Sequence, residues 1–310
     1  FLHGMGVVSQ FSENITFRNV RIAPRKGSSR TCTAWADMLH FSGCRGDIAV
    51  ENVFFSGAND DAINVHGTYL AIQEKTADKE VLVRFRHKQT YGFQPFYVDD
   101  EVGFIDRDSL TTYATTRVTK VERKSDHDFV VTLADAVPES MELNDVLENR
   151  TWTPNLTVTG CTVEHIPTRG FLISTRGKVV VRDNHFIRTP MYAILIAGDC
   201  KSWFESGAVT DVLIEGNTFT GCRVINIHPE NTNIDAARPV HKNIRIVNNT
   251  FVQGGPWLTI VAAKSAGGLE VRGNLLKLGG TPKQFDQDSL VRQEGCSDVI
   301  CTDNRFEVAE

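Results

Sequence analysis

One short pattern of apolar and polar positions recurs along most of the chain. It runs apolar, any, apolar, any, small or polar, Asn, any, then aromatic or aliphatic. The clearest copies occupy residues 179–186, 212–219 and 244–251, ending on Phe186, Phe219 and Phe251. Weaker copies begin at Leu156, Leu269 and Val299. Two more begin at Ile15 and Ile48, with the Asn one place earlier at Asn19 and Asn52. Neighbouring copies start 23 to 33 residues apart, a period of solenoid coils with loops of variable length rather than of heptads or helical repeats. Alternating Ile, Val and Leu would point inward and stack on their equivalents in the next coil. The recurrent Asn is expected to take the left-handed turn conformation and to stack as an internal ladder. Gly, Asn, Thr and β-branched residues interrupt every window that would otherwise favour a helix. The expected fold is all-β, a right-handed parallel β-helix.

A second strand follows each copy. At the front of the chain it appears as Trp35-Ala36-Asp37-Met38-Leu39-His40-Phe41-Ser42-Gly43 and as Asn59-Asp60-Asp61-Ala62-Ile63-Asn64-Val65-His66-Gly67. The two align without a gap, 24 residues apart, so Asp37 falls on Asp61. Later versions begin Arg169-Gly170-Phe171, Tyr192-Ala193-Ile194, Arg223-Val224-Ile225 and Pro256-Trp257-Leu258. One column therefore reads Asp37, Asp61, Arg169, Tyr192, Arg223. Coils stack about 4.8 Å apart, which gathers Asp37, Asp60 and Asp61 on one patch. An Asn-Asp-Asp cluster alone is an ordinary turn sequence. Asp37 stacked one coil away makes the trio a candidate active site, since carboxylates that close repel unless one holds a proton.

From 68 to 152 the repeat stops. This segment is richer in charge and carries alternating strands of its own around residues 81–85, 101–105, 117–121 and 129–133, separated by Asp, Lys, Ser and Gly turns. It reads as a small antiparallel barrel-like β-domain inserted between helix parts 1–67 and 153–310. It leaves from the strand that carries Asp60 and Asp61, where it would wall a groove.

Composition changes this picture little. The 310 residues are 41% hydrophobic and 23% charged, with a net charge of −5 and no basic block, which argues against nucleic acid. No apolar run approaches the roughly 20 residues that span a bilayer. Seven cysteines form no CxxC pair and no regular Cys/His spacing, so neither a zinc site nor a dense disulfide frame is expected. Most read as small buried hydrophobes. The chain opens Phe1-Leu2-His3 without an initiator Met or signal peptide, as a fragment whose N-terminal context is missing would.

The stretches 3–10, 36–41 and 56–67, His3-Gly4-Met5-Gly6-Val7-Val8-Ser9-Gln10 and the two Asp-bearing strands above, resemble glycoside hydrolase family 110, the bacterial exo-acting α-1,3-galactosidases that include enzymes cleaving blood-group-B galactose. The likeness runs through the chain, inserted β-domain included, although family members are longer at the N-terminus. One Asp on one coil and an Asp-Asp pair on the next also resembles the polygalacturonases of family 28. Uronic acid substrates would want more cationic residues in the groove.

The resemblance implies release of a terminal α-linked galactose from a glycan with inversion, without cofactor or metal, in a secreted, periplasmic or cell-surface bacterial setting. An inverting site uses one protonated carboxyl and one carboxylate, usually about 6.5–9.5 Å apart. By analogy with polygalacturonases, Asp60 is the general acid, while Asp37 and Asp61 share the base role. Trp35, His40, Asn64, His66, Arg169, Tyr192 and Arg223 are candidate sugar contacts, with His228 and Glu230 at the far end of the groove. Two other classes share the repeat. A tailspike- or adhesin-like β-helix that binds glycans without cutting them would not need three clustered acids. A β-helix lyase would want calcium-binding acids and a Lys or Arg base.

Overall fold

A computed structural model describes residues 4–308. Three sheets of parallel strands run along the molecule, and two of them contain eight strands each. Each turn of the chain contributes one strand to each sheet, which makes a parallel β-helix as the repeat predicts. Ile214 and Ile246, equivalent positions in neighbouring copies, are paired partners. The alternating apolar positions form one continuous core, with Ile48, Leu156, Val179, Val212, Ile244 and Leu269 all buried in it. The terminal Phe of each copy stacks on the next. The Phe186 and Phe219 rings lie 5.0 Å apart at 13°, and Phe219 and Phe251 lie 4.8 Å apart at 15°.

The Asn ladder is present, with one correction. Asn184, Asn217, Asn249, Asn274 and Asn304 are buried. Each of the first four accepts a hydrogen bond from the preceding coil's backbone N–H: Cys161, Asn184, Asn217 and Asn249 donate to Asn184, Asn217, Asn249 and Asn274. Each also donates back to a carbonyl of that coil, as Asn217 does to Val181 at 2.9 Å. Gln287, from the short 3₁₀ turn Gln287–Leu290, caps the ladder by accepting from Asn304. The left-handed residue, however, is the one before the ladder Asn: Asp183, Gly216, Asn248, Gly273 and Asp303 have φ between 55° and 66°. Asn19 and Asn52 sit at that earlier place, left-handed and exposed, and Asn52 donates to Asn19 outside the core. The two roles divide because a side chain that must reach into the core cannot also occupy the outward-facing kink.

The strand Ile63–Ala77 begins in the helix, paired in parallel with Leu39–Ser42 and Arg169–Ile173, and continues outward without a break. Its outer half pairs antiparallel with Glu80–Arg84 and Val146–Asn149. With Asp128–Leu133, Thr112–Arg123 and Glu101–Ile105 between them, the pairings close a six-stranded barrel. Leu70, Val83, Val102, Val118, Phe129 and Val131 fill it. Between barrel and coils, Arg176 donates to the fully buried Glu148 at 2.7 Å, and the Arg45 guanidinium lies 4.4 Å above the Trp152 ring.

Candidate active site

Strand register carries the acids to one place. Leu39 pairs with Ile63 and Ile63 with Phe171, so the residues two positions earlier, Asp37, Asp61 and Arg169, stand on three consecutive coils. The Asp61 backbone N–H donates to Asp37 Oδ1 at 3.2 Å, tying the first two together. Asp37 and Asp61 are 4% and 0% exposed, whereas the Asp60 side chain is 42% exposed at the rim.

Two cationic or potentially cationic groups face the three carboxylates. Arg169 Nη2 donates to Asp61 Oδ2 at 2.8 Å and reaches Asp60 Oδ1 at 3.3 Å. Its Nε sits 2.8 Å from Asp61 Oδ1, close enough for ion pairing but off the line of a hydrogen bond. On the other side His40 Nδ1 lies 2.7 Å from Asp37 Oδ2. Behind it His66 Nε2 lies 3.0 Å from His40 Nε2, and His66 Nδ1 lies 2.6 Å from the Gly67 carbonyl.

Electrostatics separate the acids. Burial, and then the Asp37 charge, raise the Asp60 carboxyl above the usual carboxylate range. Burial pushes Asp61 up further, against the pull of Arg169. Burial lowers His66, favouring its neutral ring. Among the described residues, these three Asp are the group that can each offer one carboxylate oxygen within 4.8 Å of the others, close enough to share a cation. A metal there would have to compete with the guanidinium already seated on Asp61.

A fourth carboxylate joins them that the repeat did not announce. After Tyr192–Ile196 the chain leaves the coil, and Glu205–Ser206 pairs antiparallel with Thr68 and Gly67 where Ile63–Ala77 passes from helix to barrel. A Cβ on Gly67 would lie 2.3 Å from Ser206 Oγ, so a side chain at this crossing would turn that hydroxyl aside. Glu205 comes to 3.4 Å from Asn64 Nδ2 and 3.7 Å from His66 Nε2, and its charge acts on Asp60 and Arg169. The signal was coil length: the Asn184-to-Asn217 step takes 33 residues where the step from Cys161 to Asn184 takes 23. The other side of this excursion, Lys201–Phe204, meets barrel residues 86–89 around a hollow of about 360 Å³, where the Trp203 and His87 rings lie 4.4 Å apart.

The remaining candidates lie around this centre. Asn64 is buried beside Glu205 with its Oδ1 unpartnered. Tyr192 pairs with Arg169 one coil on and is half-buried. Trp35 is 71% exposed, two residues before Asp37. Arg223, His228 and Glu230 belong to the Ile225–Ile227 coil, three steps from Ile63–Ala77 and so about 14 Å away. They do not touch the acids. Glu230 is raised by burial and by Asp199, with a smaller push from Glu205, and His228 is lowered by burial and by Lys264.

Comparison with known proteins agrees with the resemblance seen in the sequence. Residues 80–147 match a family model described as the GLAA-B beta-barrel domain II. The chain is 41% identical over 317 residues to a protein of Bacteroides fragilis named alpha-1,3-galactosidase A, covering 99% of this chain and 52% of the relative. A protein of the same name from Akkermansia muciniphila is 44% identical over 81% of this chain and 42% of its own length. Alpha-1,3-galactosidase B of Bacteroides thetaiotaomicron is 35% identical over 98% and 51%. The chain is thus related to proteins named alpha-1,3-galactosidase, as expected of glycoside hydrolase family 110, and spans about half the length of those relatives. Among solved structures, the Gp54 tailspike of Acinetobacter baumannii bacteriophage AP22 covers 94% of this chain at 11% identity with a TM-score of 0.16, with 55% of the tailspike covered.

Proposed function

We propose that this chain holds the catalytic centre of an exo-acting glycoside hydrolase that releases terminal α-1,3-linked galactose by acid/base hydrolysis with inversion. The observation that carries the reading is the division of labour among three adjacent acids. Asp61 is raised further but is closed off beneath Arg169, whereas Asp60, also raised, stands at the rim where a glycosidic oxygen can reach it. Asp60 is the general acid. Asp37 and Asp61 lie on the floor, each held by its own basic partner, and together they orient and deprotonate the water. The relatives' names supply the substrate class, a glycan ending in α-galactose.

Burial also supports inversion. A nucleophile must reach the anomeric carbon, whereas Asp61 is fully buried against Arg169 and Asp37 is almost so beside His40. The trio's nearest carboxylate oxygens, within 4.8 Å of one another, are also compatible with a second reading, retention through a glycosyl-enzyme intermediate. NMR of the first-formed sugar from an α-1,3-galactosyl oligosaccharide, with a chelator present, separates the two. β-Galactose first, at an undiminished rate, is expected. α-Galactose first establishes retention. Binding without release would leave a glycan-binding β-helix, and activity lost to the chelator and restored by calcium would overturn the metal-free acid/base scheme.

A further inference from the structure

The hydrogen bonds running away from Asp37 contain more protons than neutral histidines can supply. Three contacts lie in series: Asp37 Oδ2 to His40 Nδ1 at 2.7 Å, His40 Nε2 to His66 Nε2 at 3.0 Å, and His66 Nδ1 to the Gly67 carbonyl at 2.6 Å. Each is short enough to be a hydrogen bond, and each needs one hydrogen between its heavy atoms. The last hydrogen must sit on His66 Nδ1, because a carbonyl only accepts. A second must sit between the two Nε2 atoms and a third between Asp37 and His40. Two neutral imidazoles bring only two. Turning either ring over would replace nitrogen by carbon at these same short distances, so the count does not depend on ring orientation being exchanged.

We infer that Asp37, His40 and His66 form a unit holding one extra proton, with His40 an imidazolium ion paired with the Asp37 carboxylate and His66 its neutral, Nδ1-protonated acceptor. His66 is buried, which disfavours a charge on its own ring, and the carboxylate adjoins His40 instead. The groups facing this unit are Asp60 and Asp61 from the next coil, Arg169 from the one after it, and Glu205 from the excursion, 3.7 Å from His66 Nε2. His40 offsets Asp37, and Arg169 is shared between Asp61 and Asp60, so with Glu205 included the ionised carboxylates outnumber the cations by two. His40 and His66 are therefore positioning residues that fix the charge and orientation of Asp37, rather than ligands of the sugar. The proton count itself needs no substrate, whereas its catalytic meaning rests on the proposed hydrolysis.

Nitrogen-15 NMR of the histidine-labelled chain without substrate tests the count. His40 and His66 signals are assigned by their loss in His40→Gln and His66→Gln. At neutral pH, His40 should show both ring nitrogens protonated and His66 a protonated Nδ1 with a bare Nε2. A neutral His40, or a His66 protonated only at Nε2, overturns the inference whether or not the chain cuts galactosides. The kinetic arm is the pH profile. With its cation removed, Asp37 faces the other acids alone, so the acidic limb of kcat/KM should move to higher pH in His40→Gln, with kcat falling more than KM rises. A limb unmoved in that variant would leave His40 a packing residue and overturn the positioning role. A chain that cuts no galactoside would fail the proposed function while the NMR result still decides the proton count.

Discussion

At the scale of single residues, three Asp are set in different surroundings by their neighbours. Asp37→Asn, Asp60→Asn and Asp61→Asn each keep the side-chain shape and remove an ionisable group. Each should lower kcat by about 10²–10⁴-fold, the usual worth of acid/base assistance, in steady-state assays on an α-1,3-galactosyl substrate. Wild-type turnover in any one variant would remove that residue from the chemistry. Asp60→Asn should also reveal the site's cost to the fold. A carboxyl whose pKa is raised on folding favours the native state below its unfolded pKa, and that contribution is lost as pH rises through the raised value. Asn has nothing to ionise. The variant should therefore melt at a higher temperature than wild type at neutral pH, with the gap closing as the medium becomes acid. Calorimetry across pH checks this, and a gap that widens in acid would contradict the raised Asp60.

At the scale of elements, the ladder of Asn residues is a chain of hydrogen bonds threaded through an apolar core. Asn217→Ala strands the Asn184 N–H and the Val181 carbonyl at once, both in the interior. Each orphaned group costs about 1–3 kcal/mol, so urea unfolding should show a loss of at least that size. A loss below it would mean that water or a neighbour replaces the amide. The coils and the acid patch were legible in the sequence because both rest on periodicity. Inward Ile, Val and Phe repeat at fixed offsets, and Asp37 aligns with Asp61 by simple superposition. The division between left-handed residue and ladder Asn was not, since Asn suits both positions and only burial tells them apart. Nor was Glu205, which reaches the site through a cross-strand pairing with Thr68 and Gly67 that no repeat encodes. The His40–His66 contact lies between those cases. Both residues stood on the aligned strands, but their place as neighbours of an acid rather than of a sugar depends on which ring nitrogen faces which partner.

At the scale of the whole molecule, the strand Ile63–Ala77 belongs to two structures at once, and this sets an order of assembly. Asp61 and Arg169 must meet across 108 residues of chain before the central coils can stack. Closing so long a loop is entropically costly, and non-local pairing of this kind slows folding. Once the barrel has formed, with Ala71 beside Val146, most of that length is already drawn in and the two ends of the coil are held near each other. The saving over an unfolded insertion is about 1–2 kcal/mol in loop entropy, or roughly a tenfold gain in closure rate. The barrel would thus act as an internal nucleus for the site it adjoins. Val131→Ala, in the barrel core, should slow refolding of the coils, while Ile246→Val far along the helix should mainly hasten unfolding. Stopped-flow refolding in denaturant distinguishes the two, and a Val131→Ala effect confined to the unfolding limb would place barrel formation after coil closure. An insertion placed beside an acid-bearing strand is then a kinetic scaffold, shortening the search by which distant carboxylates find each other.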